Sequence, residues 1–373
     1  MCLGETKELA GKYIGLGLIR DRVLPITGIT KHQYYYQPKK TRPGREASTI
    51  TIRLVSGEKK EETNEQVVDQ IINLQDDPDT NYGYRKMYFA LMMMGYYINH
   101  KKVYRLMKEH KLLKKKYKRA EKNYAEYRIV TPRAPLQVFE MDIKYVWIAQ
   151  ARRHCYILTI IDTFTRFVLN WQVDFSMKSQ QIKQAWEEVI VNYLQEADLL
   201  KREVHVEIRN DNGPQFGAKM IMDFFKENFI DQVFTHPYTP QENGHIESFH
   251  SILSRSIENE AFWSISDLVR RLEKFYDTYN NSRLHSSIAN LTPKLFWKLW
   301  NKGLISSKEM KNKILKFSLN IPYQQIPDNE NLKGVPCLNY QLLDAIDNLQ
   351  KEANGSETLQ QPPAQRSPLV VPC

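Results

Sequence analysis

The period of the hydrophobic residues changes near Ala134, and this change constrains the fold of the 373-residue chain more than any other feature. Before it, apolar residues recur every three or four positions, which is typical of amphipathic helices. After it, Phe139, Met141 and Ile143 alternate with polar residues, which is the period of a strand. We therefore expect a helical N-terminal region followed by a domain that contains a β-sheet.

The segment after this first strand alternates between strand and helix patterns. Two further β-rich runs, 155–161 and 166–173, are separated by a turn of hairpin length at 162–165. The remaining segments predict the order βββαβαβα, with helices at 180–194, 218–225 and 242–257 and strands at 204–208 and 232–234. This order belongs to the α/β class, in which a mixed sheet carries helices on both faces.

Short helices are expected before residue 115. Residues 66–74 and 85–94 have helical spacing, Gly95 ends the second helix, and Asn99 caps a third at 100–110. Two helices separated by such a break, the second rich in Lys and Arg, are typical of a helix-turn-helix, and an ordinary helical hairpin has the same pattern.

The first 60 residues leave two interpretations open. Residues 9–24 have helical spacing, Pro25 and Gly28 interrupt it, and Thr30 can cap a second short helix. This pattern fits a small helix-turn-helix or an arm with little structure, and residues 41–56 are interpreted as a linker.

Positive charge is concentrated in one segment. The chain has 53 Lys and Arg against 43 Asp and Glu, a net charge of +10, and residues 101–124 alone contribute eleven bases and two acids. Such a basic run is suited to a phosphate backbone, although a solvated helix face with a charged linker has the same composition. The basic residues that we expect to contact nucleic acid are Arg85, Lys101, Lys102, Arg105, Lys108, Lys114, Lys115 and Lys116.

Several classes of protein are disfavoured. No apolar run approaches the roughly 20 residues of a membrane span, and the first eleven residues lack the basic end and apolar block of a secretory signal, so we expect a cytoplasmic protein. The four cysteines are scattered, and no phosphate-binding Gly-x-x-x-x-Gly-Lys loop occurs. Zinc sites, disulfide frameworks and ATP binding are therefore not expected.

Three acidic residues stand out by their context. Asp142 lies in the first strand of the sheet, Asp211 follows the fourth strand, and Glu247 lies in a helix. Each has an ordinary alternative: a polar strand residue, a tight turn and a helix surface charge. If the three converge, their mutual repulsion requires divalent cations between them, and Mg²⁺ prefers such oxygen ligands. Two such ions would activate a nucleophile on one side of a phosphodiester and stabilise the leaving oxygen on the other side.

The residues around these acids resemble a known family. Residues 210–216 read Asn-Asp-Asn-Gly-Pro-Gln-Phe, and residues 240–247 read Pro-Gln-Glu-Asn-Gly-His-Ile-Glu. These strings resemble the catalytic core shared by DDE transposases and retroviral-type integrases, which has a ribonuclease H-like fold. Residues 82–85, 162–166 and 279–293 resemble motifs of the insertion sequence 3 family, second reading frame type. Arg209-Asn210 departs from the His-Ser that is common there and leans toward the integrases.

The resemblance implies a fold and a reaction. The core is then a mixed five-stranded sheet with flanking helices, preceded by a helix-turn-helix region. Asp142, Asp211 and Glu247 are implied to be the catalytic and metal-binding residues for Mg²⁺, with Mn²⁺ as a possible substitute, in DNA cleavage and strand transfer by two metal ions. Asn243 is implied to lie in the turn before the glutamate helix, where we expect it to contact DNA.

The resemblance also implies partners and a domain plan. We expect double-stranded DNA, a homodimer or higher oligomer on DNA, and a smaller partner protein from an upstream frame, at the bacterial nucleoid. The alternative is a catalytically silent DNA-binding regulator derived from a transposase. The expected regions are an N-terminal arm at 1–60, a DNA-binding domain at 61–125, a catalytic core with C-terminal helices at 132–300, and an extension at 301–373 that is disordered after about residue 350.

Overall fold

The structure is a computed structural model that describes residues 3–36, 47–55, 57–114, 131–236, 240–310 and 314–326. Its contacts divide the chain into two units, Met1–Thr49 and Ile50–Cys373. Lys115 and Lys116, the segment 41–46 and the tail after residue 350 lie outside the described residues.

The first unit contains three short helices, α1 (Leu3–Gly15), α2 (Arg20–Thr27) and α3 (Lys31–Tyr35). The prediction of one helix over residues 9–24 is wrong, because α1 ends at Gly15 and Gly17 adopts a φ of +94° that an α-helix cannot contain. Thr30 caps α3 as predicted, in a capping box with Gln33.

The second unit begins with a small sheet that the sequence interpretation missed. Strand β1 (Ile50–Val55) pairs antiparallel with β2 (Glu58–Thr63) and with β3 (Tyr96–Tyr97). The interpretation of residues 41–56 as a linker is therefore wrong for residues 50–55. The β-branched and apolar residues of β1 favour an extended strand, and Gly57, with a φ of +87°, lies in the connection to β2.

Three helices pack beside this small sheet: α4 (Asn64–Asp76), α5 (Tyr84–Met93) and α6 (His100–Glu109). Asn99 caps α6 as predicted, because its side chain accepts a hydrogen bond of 2.8 Å from the Lys101 N–H. Buried apolar residues from all three helices, among them Ile71, Met87 and Val103, form one core. The expected helical region is confirmed.

The central sheet has five strands: β4 (Val138–Ile148), β5 (Arg153–Asp162), β6 (Val168–Asp174), β7 (Val206–Asn210) and β8 (Ile230–Phe234). Their order is β6-β5-β4-β7-β8, with β4 antiparallel to β5 and parallel to β7. This mixed sheet has the ribonuclease H-like order, and it confirms the predicted fold class.

Helices cover both faces of the central sheet. On one face lie α7 (Ser179–Val189), which continues as a π-helix at Ile190–Gln195, and α8 (Lys219–Glu227). On the other face lie α9 (Gly244–Ser256) and α10 (Ile265–Asn281). Because each strand alternates its side chains between the two faces, two separate apolar cores form, and together they fix the positions of α9 and β4.

The chain after the sheet adds α11 (Pro293–Asn301) and a hairpin of β9 (Ile305–Glu309) and β10 (Leu315–Leu319). The sequence interpretation did not anticipate this hairpin. It packs through Phe317 against Phe164, Phe296 and Trp300. Among the described residues, no helix is long and apolar enough to cross a membrane.

Candidate active site

The register of β4 and β7 brings two of the three acids to neighbouring strands. These parallel strands pair up to Glu140 and Arg209, and Asp142 and Asp211 each follow two residues later. Parallel neighbours run in the same direction, so the two carboxylates lie beside each other where the paired segment ends. Asp142 is partly exposed on β4, and Asp211 is exposed just after β7.

The third acid is carried by α9, and two contacts attach that helix to β4. Glu140, which is buried, accepts hydrogen bonds of 2.7 Å from the Ile246 N–H and from His245 Nδ1. One helical turn after Glu247, His250 Nδ1 lies 3.2 Å from Asp142 Oδ2. Glu247 is therefore held in the first turn of a helix that is fastened to the strand of Asp142.

The electrostatics of the site link the three carboxylates. Burial, together with the negative charges of Asp142 and Glu140, raises the pKa of Glu247 to about 7. Burial also raises the pKa of Asp211, the Gly213 N–H opposes this rise, and the charge of Asp142 adds to it. The negative charge of Asp142 thus contributes to the raised pKa of both Asp211 and Glu247, which links the three predicted residues electrostatically.

The donor set fits a hard divalent cation by its chemistry. Carboxylate oxygens are the ligands that Mg²⁺ and Mn²⁺ prefer, and a cation relieves the repulsion that, after burial, helps to raise the pKa of Asp211 and Glu247. In the part of the chain that the structure describes, however, no group of three or more His, Cys, Asp or Glu side chains is arranged closely enough to hold a metal ion.

Sequence reasoning missed Glu140 as a residue of the site. Burial raises the pKa of its carboxyl to about 7 in spite of the opposing effect of the Ile246 N–H. The available signal was its position on β4, two residues before Asp142 and therefore on the same face of the sheet. His245 lies in the string that ends at Glu247, and His250, three residues beyond it, was open from sequence to DNA contact, to positioning of a metal-bound water or to a structural role.

The predicted DNA-binding residues are spread over three parts of the second unit. Arg85 is exposed on α5, and Lys101 and Lys108 are exposed on α6. The side chains of the other two bases on α6 have local contacts: Lys102 Nζ donates to the Ile50 carbonyl at 2.8 Å, and Arg105 lies 3.8 Å from Glu109. Lys114 Nζ donates to the Asn81 carbonyl at 2.6 Å.

Asn243 lies apart from these basic residues, directly before α9. Its side chain is buried, and its Oδ1 has no hydrogen-bond partner among the described residues. Its contact with DNA stays a prediction.

A buried polar cluster connects the helical region to the core. Asp79, in the loop before α5, forms two hydrogen bonds of 2.9 and 3.0 Å with Arg271 of α10. The Tyr82 hydroxyl donates to the Ser282 carbonyl at 3.1 Å and accepts from the Leu284 N–H at 2.9 Å. The basic helix and the carboxylates are therefore parts of one packed unit.

Comparison with known families and proteins agrees with this architecture. Residues 132–240 and 228–293 match two family models described as Integrase core domain, and residues 61–120 match one described as HTH-like domain. Both descriptions fit the observed elements, because the first model begins just before β4 and the third covers α4 to α6.

Three relatives come from bacterial insertion elements. The chain is 28% identical to an uncharacterized 39.2 kDa protein of insertion element IS476 from Xanthomonas euvesicatoria, over 58% of this chain and 60% of that protein. It is 24% identical to a 31.7 kDa protein of IS407 from Burkholderia multivorans, over 64% and 83%. It is 25% identical to the putative transposase InsK of IS150 from Escherichia coli, over 57% and 76%.

A solved structure gives a more distant match. A chain of the simian T-cell lymphotropic virus intasome is 14% identical, with a TM-score of 0.37, over 60% of this chain and 72% of that chain.

The fold, the matched domains and the site define a class of proteins that join an HTH-like domain to an integrase core. Within this class, the chain is similar to proteins of bacterial insertion elements, and it spans 60% of the length of the IS476 protein.

Proposed function

We propose that this chain is a transposase that binds the ends of its insertion element and catalyses DNA cleavage and strand transfer. The observation that carries the proposal is geometric: Asp142 and Asp211 follow the paired segment of the neighbouring strands β4 and β7, and His250 of α9, the helix of Glu247, lies 3.2 Å from Asp142. Three elements far apart in sequence supply these groups, as expected for a site assembled by the fold.

The proposed metal ligands are Asp142, Asp211 and Glu247, and the proposed ions are Mg²⁺ or, as a substitute, Mn²⁺. Bound divalent ions supply activation of the attacking hydroxyl and stabilisation of the leaving oxygen of a phosphodiester. The chain's own residues set the site: His250 contacts the Asp142 carboxylate, and Glu140 holds the start of α9, the helix that carries Glu247. The carboxylates do not attack phosphorus, so no covalent enzyme intermediate is required.

DNA is proposed to bind along the exposed basic face of α6. Lys101 and Lys108 project from this helix into solvent, while Val103, Leu106 and Met107 anchor its other face in the core. Phosphate contacts of this kind fix the position of the duplex and make affinity depend on salt. The packing of Asp79 against Arg271 then keeps the bound duplex in a defined position relative to the carboxylates.

Joining two element ends requires two DNA-bound sites, so we propose at least a homodimer on DNA. Water is the nucleophile of the cleavage step, and the freed 3′-hydroxyl is the nucleophile of strand transfer. We also propose a smaller partner protein from an upstream reading frame and action at the bacterial nucleoid, on the basis of the family.

The test is nicking of a duplex that carries an element end, with and without Mg²⁺. Asp142→Asn, Asp211→Asn and Glu247→Gln are each expected to reduce cutting by at least a hundredfold and to leave DNA binding within about twofold of the wild type, since a missing ligand removes the chemistry and not the basic helix. Glu258→Gln, an exposed residue just beyond α9, is the matched control and should cut normally.

Unchanged cutting by the three variants would contradict the catalytic assignment. DNA binding by a wild-type chain that cuts nothing would favour the silent regulator. Parallel reactions on DNA and RNA duplexes test the substrate class, and we expect cleavage of DNA.

A further inference from the structure

The exposed aromatic side chains of the core domain are concentrated around one hairpin. Among the Phe, Tyr and Trp residues in the described part of the chain from residue 131 onward, only Tyr145, Trp147 and Trp263 are exposed, with 56%, 52% and 65% of their surface accessible. Two of them lie on β4, and the backbone carbonyl of the third accepts a hydrogen bond of 2.9 Å from the Gln150 N–H at the hairpin tip. A cluster of exposed rings in a folded domain marks an interaction surface.

Two cross-strand pairs organise the rings of this hairpin. Tyr145 pairs with Tyr156 and Trp147 with His154, with ring centroids 5.1 and 5.2 Å apart in edge-to-face geometry. Residues two apart in a strand and their direct partners share one face of a sheet. The four side chains Tyr145, Trp147, His154 and Tyr156 therefore form one continuous surface, the hairpin patch.

The charge around the hairpin patch suits a polyanion. Residues 143–154 contain Lys144, Arg152 and Arg153 and no acidic residue. Arg152 is exposed and makes no ion pair with any residue that the structure describes. The Arg153 guanidinium, beside the hairpin tip, lies 4.1 Å from the centroid of the Phe175 ring. Rings for bases and cations for phosphates are thus combined in one place.

The hairpin patch lies close to the carboxylates but on the other face of the sheet. Tyr145 is three residues and Trp147 five residues beyond Asp142, which at strand spacing is about 10 and 17 Å. Between Met141 and Trp147, β4 pairs only with β5 among the described residues, so its other edge is free. A DNA strand leaving the carboxylates can cross this free edge and meet the rings. Burial raises the pKa of the Tyr145 hydroxyl, and Tyr156 adds to this rise. The negative charges of Asp211 and Asp142 raise the same pKa by a smaller amount.

We propose that the hairpin patch is a stacking platform for unpaired bases of the DNA strand that is cut or joined. Duplex DNA hides the faces of its bases, so exposed rings can stack only on bases that are terminal or unpaired. At about 3.4 Å of strand per nucleotide, Tyr145 and Trp147 correspond to positions about three to five nucleotides from the reacting phosphate. This inference rests on the proposed function, and it specifies the form of DNA that the site accepts.

The test uses short DNA with 2-aminopurine, whose fluorescence falls when the base stacks on a ring. A single strand and a duplex of the same sequence are titrated with the full chain without divalent ions, so that nothing is cut. We expect quenching with the single strand and little with the duplex. Trp147→Leu and Tyr145→Leu, which keep apolar bulk but remove the ring, should each remove most of the quenching and weaken single-strand binding about tenfold, in line with about 1–3 kcal/mol per stacked base.

Three controls define the result. Trp147→Phe should retain most of the quenching, since a ring remains. Tyr13→Leu, an exposed ring in the first unit, should bind and quench like the wild type. Asp142→Asn should also quench normally, so a failure of the proposed cleavage reaction is separable from a failure of the stacking platform.

Two results would overturn the inference. Equal quenching by the wild type and the Tyr145→Leu/Trp147→Leu double variant would show that the rings do not contact bases. Unchanged quenching together with a lower sedimentation coefficient of the double variant would assign the hairpin patch to contact with a second copy of this chain.

Discussion

Glu140 should make the stability of the protein depend on pH in a defined direction. Its carboxyl is buried with a pKa raised from 4.5 to about 7, so the folded state binds its proton more tightly than the unfolded state does. This contribution to stability is complete below pH 4.5 and is lost as the pH rises through 7. By linkage, the loss between pH 5 and pH 8 is about 2.5 kcal/mol.

Glu140→Gln removes this titration and keeps the shape of the side chain. The amide oxygen can still accept from the Ile246 N–H, and the amide NH₂ can donate to Nδ1 of a neutral His245. At pH 5 the variant should be equal to the wild type or less stable by about 1 kcal/mol, because one hydrogen bond is exchanged. At pH 8 the difference should move in favour of the variant by about 2 to 3 kcal/mol.

Urea denaturation at pH 5 and pH 8 measures this difference, with circular dichroism as the signal. Glu227→Gln, which replaces an exposed carboxylate on α8, controls for loss of a negative charge elsewhere. If the free-energy difference between Glu140→Gln and the wild type is the same at both pH values, the reasoning about the buried carboxyl is refuted.

The remaining predictions concern the other parts of the second unit. Asp79→Ala should lower the free energy of unfolding by about 3 to 5 kcal/mol, because Arg271 loses its buried partner. Urea denaturation measures this loss. The double variant Asp79→Ala/Arg271→Met should recover part of the lost stability. Lys101→Ala and Lys108→Ala should each reduce the slope of log affinity for duplex DNA against log salt concentration by about 0.9. Lys226→Ala on α8 is the control and should leave this slope unchanged. An equal slope in all variants would contradict the proposal that α6 binds DNA. Gly95→Ala should destabilise the protein by about 1 to 3 kcal/mol, because Gly95 has a φ of +91° and an added Cβ meets the Leu54 carbonyl. At Gly83 an added Cβ meets no atom within 4 Å, so the free energy of unfolding of Gly83→Ala should be within about 1 kcal/mol of that of the wild type.

Much of the fold could be predicted because its signals are local. The alternation on β4, the Asn99 cap and the βββαβαβα order are each written in short windows of sequence, and all agree with the structure. The predicted bounds differ from the observed elements by a few residues, since helix ends depend on tertiary contacts. The first helix ends at Gly15, earlier than the spacing of its apolar residues predicts, because Gly17 has a positive φ that stops an α-helix.

The features that could not be predicted depend on long-range packing. Strand β1 is stabilised by β2 and by β3, which is more than 40 residues away, so its own window looked like a linker. Glu140 gains its role only when α9 packs on β4 and presents the Ile246 N–H, and no local pattern marks that contact. The pairing of Asp79 with Arg271 spans 192 residues. The three acids were selected by their surrounding strings, and their role as metal ligands stays a prediction.

Calorimetric titration of the DNA-free chain with Mg²⁺ and Mn²⁺ tests the central claim most directly. The account predicts saturable binding to the wild type, weakened at least tenfold in Asp142→Asn, Asp211→Asn and Glu247→Gln and unchanged in Glu258→Gln. Wild-type binding that is absent, or that is the same in all three variants, would contradict the assignment of these carboxylates to a catalytic metal site.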